Sequence, residues 1–198
     1  MSNHADEKGA RMGMWFFLYT EIMFFGGLFV LYAAYYHRYT EDFIVAGRET
    51  MLVLGGLNTA ILLVSSFAVA AAVRAVSKSS SRTAILLLGV TVILGLIFLF
   101  NKYLEWRRDF ADGYYPGSDK MASGPVGQSI FFALYFTLTG LHALHVLIGT
   151  GILAACLVLT AKRRITADRM SFMENSGLFW HLVDIIWIFL FPLFYLLL

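Results

Sequence analysis

Apolar positions along this chain gather into five long runs separated by short polar links. About 20 predominantly apolar residues in a helix cross a hydrocarbon core about 30 Å thick. By that measure the spans lie at 12–37, 51–73, 83–106, 127–161 and 177–198. The expected fold class is all-α: a polytopic bundle of five transmembrane helices in a single transmembrane domain over residues 1–198, with no soluble domain and no internal repeat. Helices suit that setting because they satisfy their own backbone polar groups where no water can do so. The run at 127–161 is the longest, so it is expected to tilt or to project beyond the bilayer.

The last run organises the rest. It places Trp180, His181, Asp184 and Trp187 in its first two turns. At helical spacing Trp180, Asp184, Trp187 and Phe191 share a stripe, with His181 on its edge. An acid and a histidine in so apolar a segment are costly to leave facing lipid, so they are expected to face protein and to have partners there. The stripe therefore reads as an assembly surface or a site.

Composition agrees with the pattern. Hydrophobic residues make up 59% of the chain and charged residues 14%, against about 25% charged residues in soluble domains. Cys156 is the one cysteine and lies within an apolar run, which leaves no disulfide and no cysteine metal cluster; it reads as a small buried hydrophobe. The polar N-terminal tail, with its alternating charges, does not resemble a cleaved signal sequence. Nine Lys and Arg fall on the side of the N-terminal tail, the second-to-third link and the fourth-to-fifth link, and six on the other. The positive-inside rule then puts the N-terminus inside and the C-terminus outside. A net charge of +2 gives no reason to expect a nucleic-acid partner.

Chemistry enters at the polar residues inside the runs. Glu21 lies about nine residues into the first span, too deep to remain ionised without a partner. Two readings stand: a functional carboxyl, or a buried hydrogen-bonder. Gly26 and Gly27 follow, small enough to admit another helix, and Tyr35, Tyr36, His37, Arg38 and Tyr39 suit the membrane interface. In the second span Asn58, Thr59, Ser65 and Ser66 read as helix-packing groups. Lys102 and Glu105 of the third span are three apart and can pair on one face, although a snorkelling lysine is equally ordinary. The Gly-, Pro- and Asp-rich link that follows reads as an ordered external turn region.

His142 and His145 of the fourth span are also three apart, with Gly140 and Gly149 nearby for close helix contact. Metal or haem ligation is one reading. Haem held between helices needs axial ligands from two of them, and His181 is the other deep histidine, with His37 near a helix end. The favoured reading is structural, with the histidines donating to Glu21 or to carbonyls. No residue is assigned a catalytic, cofactor-binding or metal-binding role.

Five segments carry a family resemblance: WFFLYTEIMFFGGLF with Glu21, LNTAILLVSS with Asn58, LEW with Glu105, TGLHALHVLIG with His142 and His145, and WHLVDIIW with Trp180, His181, Asp184 and Trp187. In this order they resemble subunit III of the haem-copper oxidases, from about Met12 to Leu198. The resemblance implies a non-catalytic subunit of a proton-pumping respiratory terminal oxidase in the plasma or inner membrane, cytochrome c oxidase by first choice. It implies packing on subunit I, with subunit II and other oxidase subunits also in the complex. Haem and copper would sit in those partners, and this chain would carry no cofactor beyond phospholipid held in a cleft, a suggested route for oxygen. It would stabilise subunit I and support proton uptake. Glu21 would be the family's membrane-embedded glutamate, hydrogen-bonded to His142 or His145, and His181 with Asp184 the buried polar pair of the last helix. The family's common form has seven spans and this chain starts where the third would, so the first two are expected to be missing, with another subunit closing the lipid cleft or the lipid role reduced.

Quinol oxidases and nitric oxide reductases carry similar accessory subunits and remain as alternatives. Two readings of other classes also stand. A small transporter or proton channel would use Glu21, His142, His145 and Asp184, but lacks the Gly- or Pro-broken helices of midplane sites. A membrane cytochrome would use His145 and His181 as axial ligands.

Overall fold

The computed structural model describes residues 2–167 and 169–196, with side chains from residue 9 onward. Five long helices carry the chain back and forth: α1 (Ser2–Arg38), α3 (Leu52–Ser77), α4 (Ser81–Ala111), α6 (Val126–Ala161) and α7 (Ser171–Phe191). Two short helices, α2 (Thr40–Gly47) and α5 (Asp119–Ser123), lie in the links, and a π-helical turn, Pro192–Leu196, follows α7. Five segments are long and apolar enough to cross a membrane: Gly9–Arg38, Leu52–Ser77, Ser81–Ala111, Val126–Ala161 and Ser171–Leu196. The chain is a multi-pass, all-helical membrane protein.

Most of the helices run past the apolar windows that announce them. Hydropathy marks where lipid ends, not where the helical backbone ends. Thus α4 extends through Arg107 and Arg108 to Ala111, and α7 starts at Ser171 rather than at Gly177. At its other end α7 stops at Phe191, because Pro192 has no N–H to give to the preceding turn. The backbone widens into the π turn there. The last span thus continues through the π turn to Leu196, and the last two residues of the expected helix lie outside the described ones.

α7 is the inner helix and α1 the outer one: 56% of the most apolar window of the last span is buried, against 11% for the first. α3 and α6 pack on α7, and α4 packs on α3 and α6 and reaches α7 through side chains such as Phe98, whose ring lies 4.8 Å from that of Trp187. Trp180 and Trp187 fill the centre and are fully buried. Trp180 fits only because two facing helices present glycine. A Cβ at Gly149 would sit 2.8 Å from its ring, and one at Gly95 would sit 3.1 Å from it. The close approach expected at the other glycines is not used within this chain. Gly26 and Gly27 have nothing within 4 Å, and Gly140 would meet only Trp106 at 3.7 Å, an ordinary contact.

The links are built into the bundle. Asp42 of α2 accepts a hydrogen bond from the Gly127 amide at 3.1 Å, occupying one of the free donors at the start of α6. Ser118 caps α5 by accepting from the Met121 amide at 3.2 Å. The C-terminal turn is pinned from two sides, since Tyr32 of α1 donates to the Leu193 carbonyl and Thr50 donates to that of Phe194.

Candidate functional site

The polar residues of the spans fall into three groups. The first lies where α3 meets α7. Both are apolar helices, so a polar side chain on one must find its partner on the other, and three hydroxyls of α3 do this. Trp180 Nε1 donates to Ser65 Oγ at 3.1 Å, Trp187 Nε1 donates to Thr59 Oγ1 at 3.0 Å, and His181 Nδ1 lies 2.7 Å from Ser66 Oγ. Asn58 accepts from Asn101 of α4 at 2.9 Å. Asp184 is the exception: it is 3% exposed, and neither of its carboxyl oxygens has a hydrogen-bond partner. The structure therefore pairs His181 with Ser66 and leaves Asp184 without the histidine beside it.

The second group joins α1 to α6. His145 Nδ1 lies 2.7 Å from the carbonyl of Leu141, its own helix's preceding turn. A carbonyl only accepts, so Nδ1 carries a proton and Nε2 is the nitrogen offered to Glu21. Nε2 stands 3.1 Å from Glu21 Oε2, at ion-pair distance but off the line of a hydrogen bond. The pair borders a mostly apolar groove of about 450 Å³ between α1, α6 and α7. His142 does not join it. That ring is fully buried, with neither nitrogen hydrogen-bonded, and packs 5.1 Å from Trp187 and 5.6 Å from Phe98, centroid to centroid.

The third group closes the opposite end of the bundle. Lys102 Nζ donates to Glu105 Oε2 at 3.0 Å, and to the Tyr135 and Tyr195 hydroxyls at 3.1 Å each. Both tyrosines in turn donate to Glu105 Oε1, Tyr135 at 2.7 Å. Lys102 and Glu105 are 2% and 0% exposed, so this is a dry ion pair rather than a snorkelling lysine. Such a pair holds only if its remaining hydrogen-bonding capacity is met, which the two hydroxyls do. Sequence reasoning found Lys102 and Glu105 but not the tyrosines. Their signal was a phenol within an apolar helix, which needs a partner for its O–H when buried.

His145 and His181 border separate grooves, one between α1 and α6, the other between α1 and α3. Each ring is committed to a side chain of a neighbouring helix. Among the described residues no three His, Cys, Asp or Glu side chains gather as a metal site.

A helical membrane protein whose deep polar groups mostly tie its own helices together is the class that fold and sites define. The family model described as Cytochrome c oxidase subunit III matches residues 1–197. Cytochrome bo(3) ubiquinol oxidase subunit 3 of Pseudomonas aeruginosa is 34% identical over 98% of this chain and 88% of the relative. Cytochrome c oxidase subunit 3 of Struthio camelus is 33% identical, and that of Gadus morhua 32%, each over 93% of this chain and 68% of the relative. This chain belongs to the cytochrome c oxidase subunit III family.

Proposed function

We propose that this chain is a non-catalytic third subunit of a proton-pumping haem-copper terminal oxidase in the plasma or inner membrane, with its N-terminus inside. It packs on subunit I, in a complex with subunit II and other subunits, and stabilises subunit I during turnover. The partners carry the haem and copper; this chain contributes lipid binding, oxygen access and support for proton uptake. The observation that carries this reading is the family match over residues 1–197. The geometry is consistent with it: the Glu21–His145 pair borders an apolar groove of the size and chemistry an acyl chain takes, at the edge of the bundle.

Cytochrome c is the first choice of electron donor, in keeping with the names of the vertebrate relatives. Quinol is the second, favoured by the Pseudomonas aeruginosa relative, which is named for ubiquinol. A gentle-detergent pull-down of this chain from its native membrane, read by mass spectrometry and by a reduced-minus-oxidised visible spectrum, tests both. Haem-bearing subunits are expected to come down with it, and a harsher wash is expected to leave this chain colourless. Recovery of the chain alone, or with haem of its own, would overturn the reading.

A further inference from the structure

The groove beside Glu21 and His145 has apolar walls and one polar end. Met14, Phe17 and Glu21 follow one another along α1, so the groove runs from the N-terminal part of that helix to the ion pair, between walls that include Ile148 and Ile152 of α6 and Phe179 of α7. The pair lies deep. Glu21 stands about 4 Å along the helix axis from the middle of the span Gly9–Arg38, within the hydrocarbon, where a phospholipid headgroup does not reach.

The two side chains do not spend their hydrogen-bonding capacity on each other. Nε2 and Oε2 are close but unbonded, and among the described residues no group bonds Nε2 or Oε1. Of the two Glu21 oxygens Oε2 alone is sealed off; Oε1 and His145 Nε2 stay accessible, and both residues line the groove. With Nδ1 held by the Leu141 carbonyl, a neutral ring presents Nε2 as an acceptor, and a carboxylate accepts at Oε1. Two acceptors side by side suit a ligand that brings an O–H. Phe179 sets an aromatic ring beside them, its centroid 6.3 Å from that of His145 and 5.9 Å from that of Phe17.

We propose that this groove binds an isoprenoid hydroquinone, with a ring hydroxyl donating to the Glu21–His145 pair and the tail lying along Ile148 and Ile152. An acyl chain matches the walls but leaves both acceptors without a donor. A hydroquinone answers walls and pair together, being a flat ring with an O–H at one end and a hydrocarbon tail at the other. The groove's volume of about 450 Å³ falls in the range of small-molecule sites, which are mostly apolar with a few placed polar groups. The site holds its ligand and takes no electron from it. The inference rests on the reading of this chain as a respiratory subunit only in that such a membrane contains hydroquinone.

Photolabelling of the intact purified complex in lipid nanodiscs tests it, with a ubiquinol that carries a diazirine on its tail and is kept reduced under argon. Labelled peptides are expected to come from the stretch of α6 that holds Ile148 and Ile152, and an excess of unmodified ubiquinol should displace the label. Glu21→Leu and His145→Phe are each expected to lower this labelling about tenfold, as loss of an ordinary hydrogen-bond link does. Ile148→Trp fills the groove away from the pair and should lower it as well. Retention of each variant chain in the complex reports its folding. A phospholipid with the diazirine on its acyl chain is the comparison. Labelling by that lipid which ubiquinol does not displace would identify an acyl-chain site and overturn the proposal, as would wild-type labelling in both Glu21→Leu and His145→Phe. A chain that co-purifies with haem-bearing partners yet takes no ubiquinol label would overturn the hydroquinone site and leave the subunit reading standing.

Discussion

Single residues in this bundle differ sharply in what their loss should do, because their surroundings differ in dryness. Lys102 and Glu105 sit in the driest place, with two tyrosine hydroxyls completing the pair. Removing one charge leaves the other buried and uncompensated, a cost of about 3–5 kcal/mol. Lys102→Met is therefore expected to lower the thermal unfolding midpoint of the detergent-solubilised protein far more than Tyr195→Phe, which removes one hydroxyl at about 1–3 kcal/mol. Circular dichroism melts would check the order. Glu21 is a milder case. In Glu21→Gln the amide can still donate to His145 Nε2, so the α1–α6 contact should survive. The expected effect on the complex is a modest change in proton behaviour or subunit affinity with oxygen reduction retained. Complete loss of oxygen consumption in an intact, haem-replete complex would count against an accessory role.

At the scale of the element, α7 is held by shape on two sides and by hydroxyls on a third. Gly149→Ala would drive a methyl into Trp180, where the Cβ would stand 2.8 Å from the ring. Overpacking of that kind costs about 1–3 kcal/mol. Gly26→Ala enters open space and should change stability by no more than about 0.5 kcal/mol. The two melts compared in one detergent test this contrast. The contrast also marks what was legible beforehand. Five spans stood out because an apolar run of membrane length is rarely anything but a membrane helix. The short helices α2 and α5 did not, since each is too brief and too mixed in polarity to show a period. The stripe of α7 was visible from its spacing, yet spacing gives a face and not the neighbour opposite. Ser65, Ser66 and Thr59 were recognisable as packing groups, but only the register of α3 against α7 assigns them to Trp180, His181 and Trp187. For the same reason the expected His181–Asp184 partnership did not form, and the Gly26–Gly27 approach found no helix within the chain.

For the whole molecule, the arrangement is an inner core of four helices with α1 on its outside. α3, α4, α6 and α7 share the buried tryptophans and the hydroxyl pairs, whereas α1 turns Trp15, Phe16, Tyr19 and Phe24 outward and meets the bundle chiefly through α6 and α7. That design suits a subunit whose outer faces belong to lipid and partner subunits. The five recognisable segments carry groups that meet at the helix contacts: Glu21 with His145, Asn58 with Asn101, Glu105 with Tyr135 and Tyr195, and Trp180 and Trp187 with Ser65 and Thr59.

The central claim, an accessory role beside catalytic partners, is tested most directly by oxygen consumption of the purified oxidase with and without this chain. The account predicts that the complex lacking it keeps its haem spectrum and its initial oxygen reduction, but loses activity sooner during sustained turnover. Immediate loss of oxygen reduction in a haem-replete complex, or turnover that endures equally well without the chain, would contradict it.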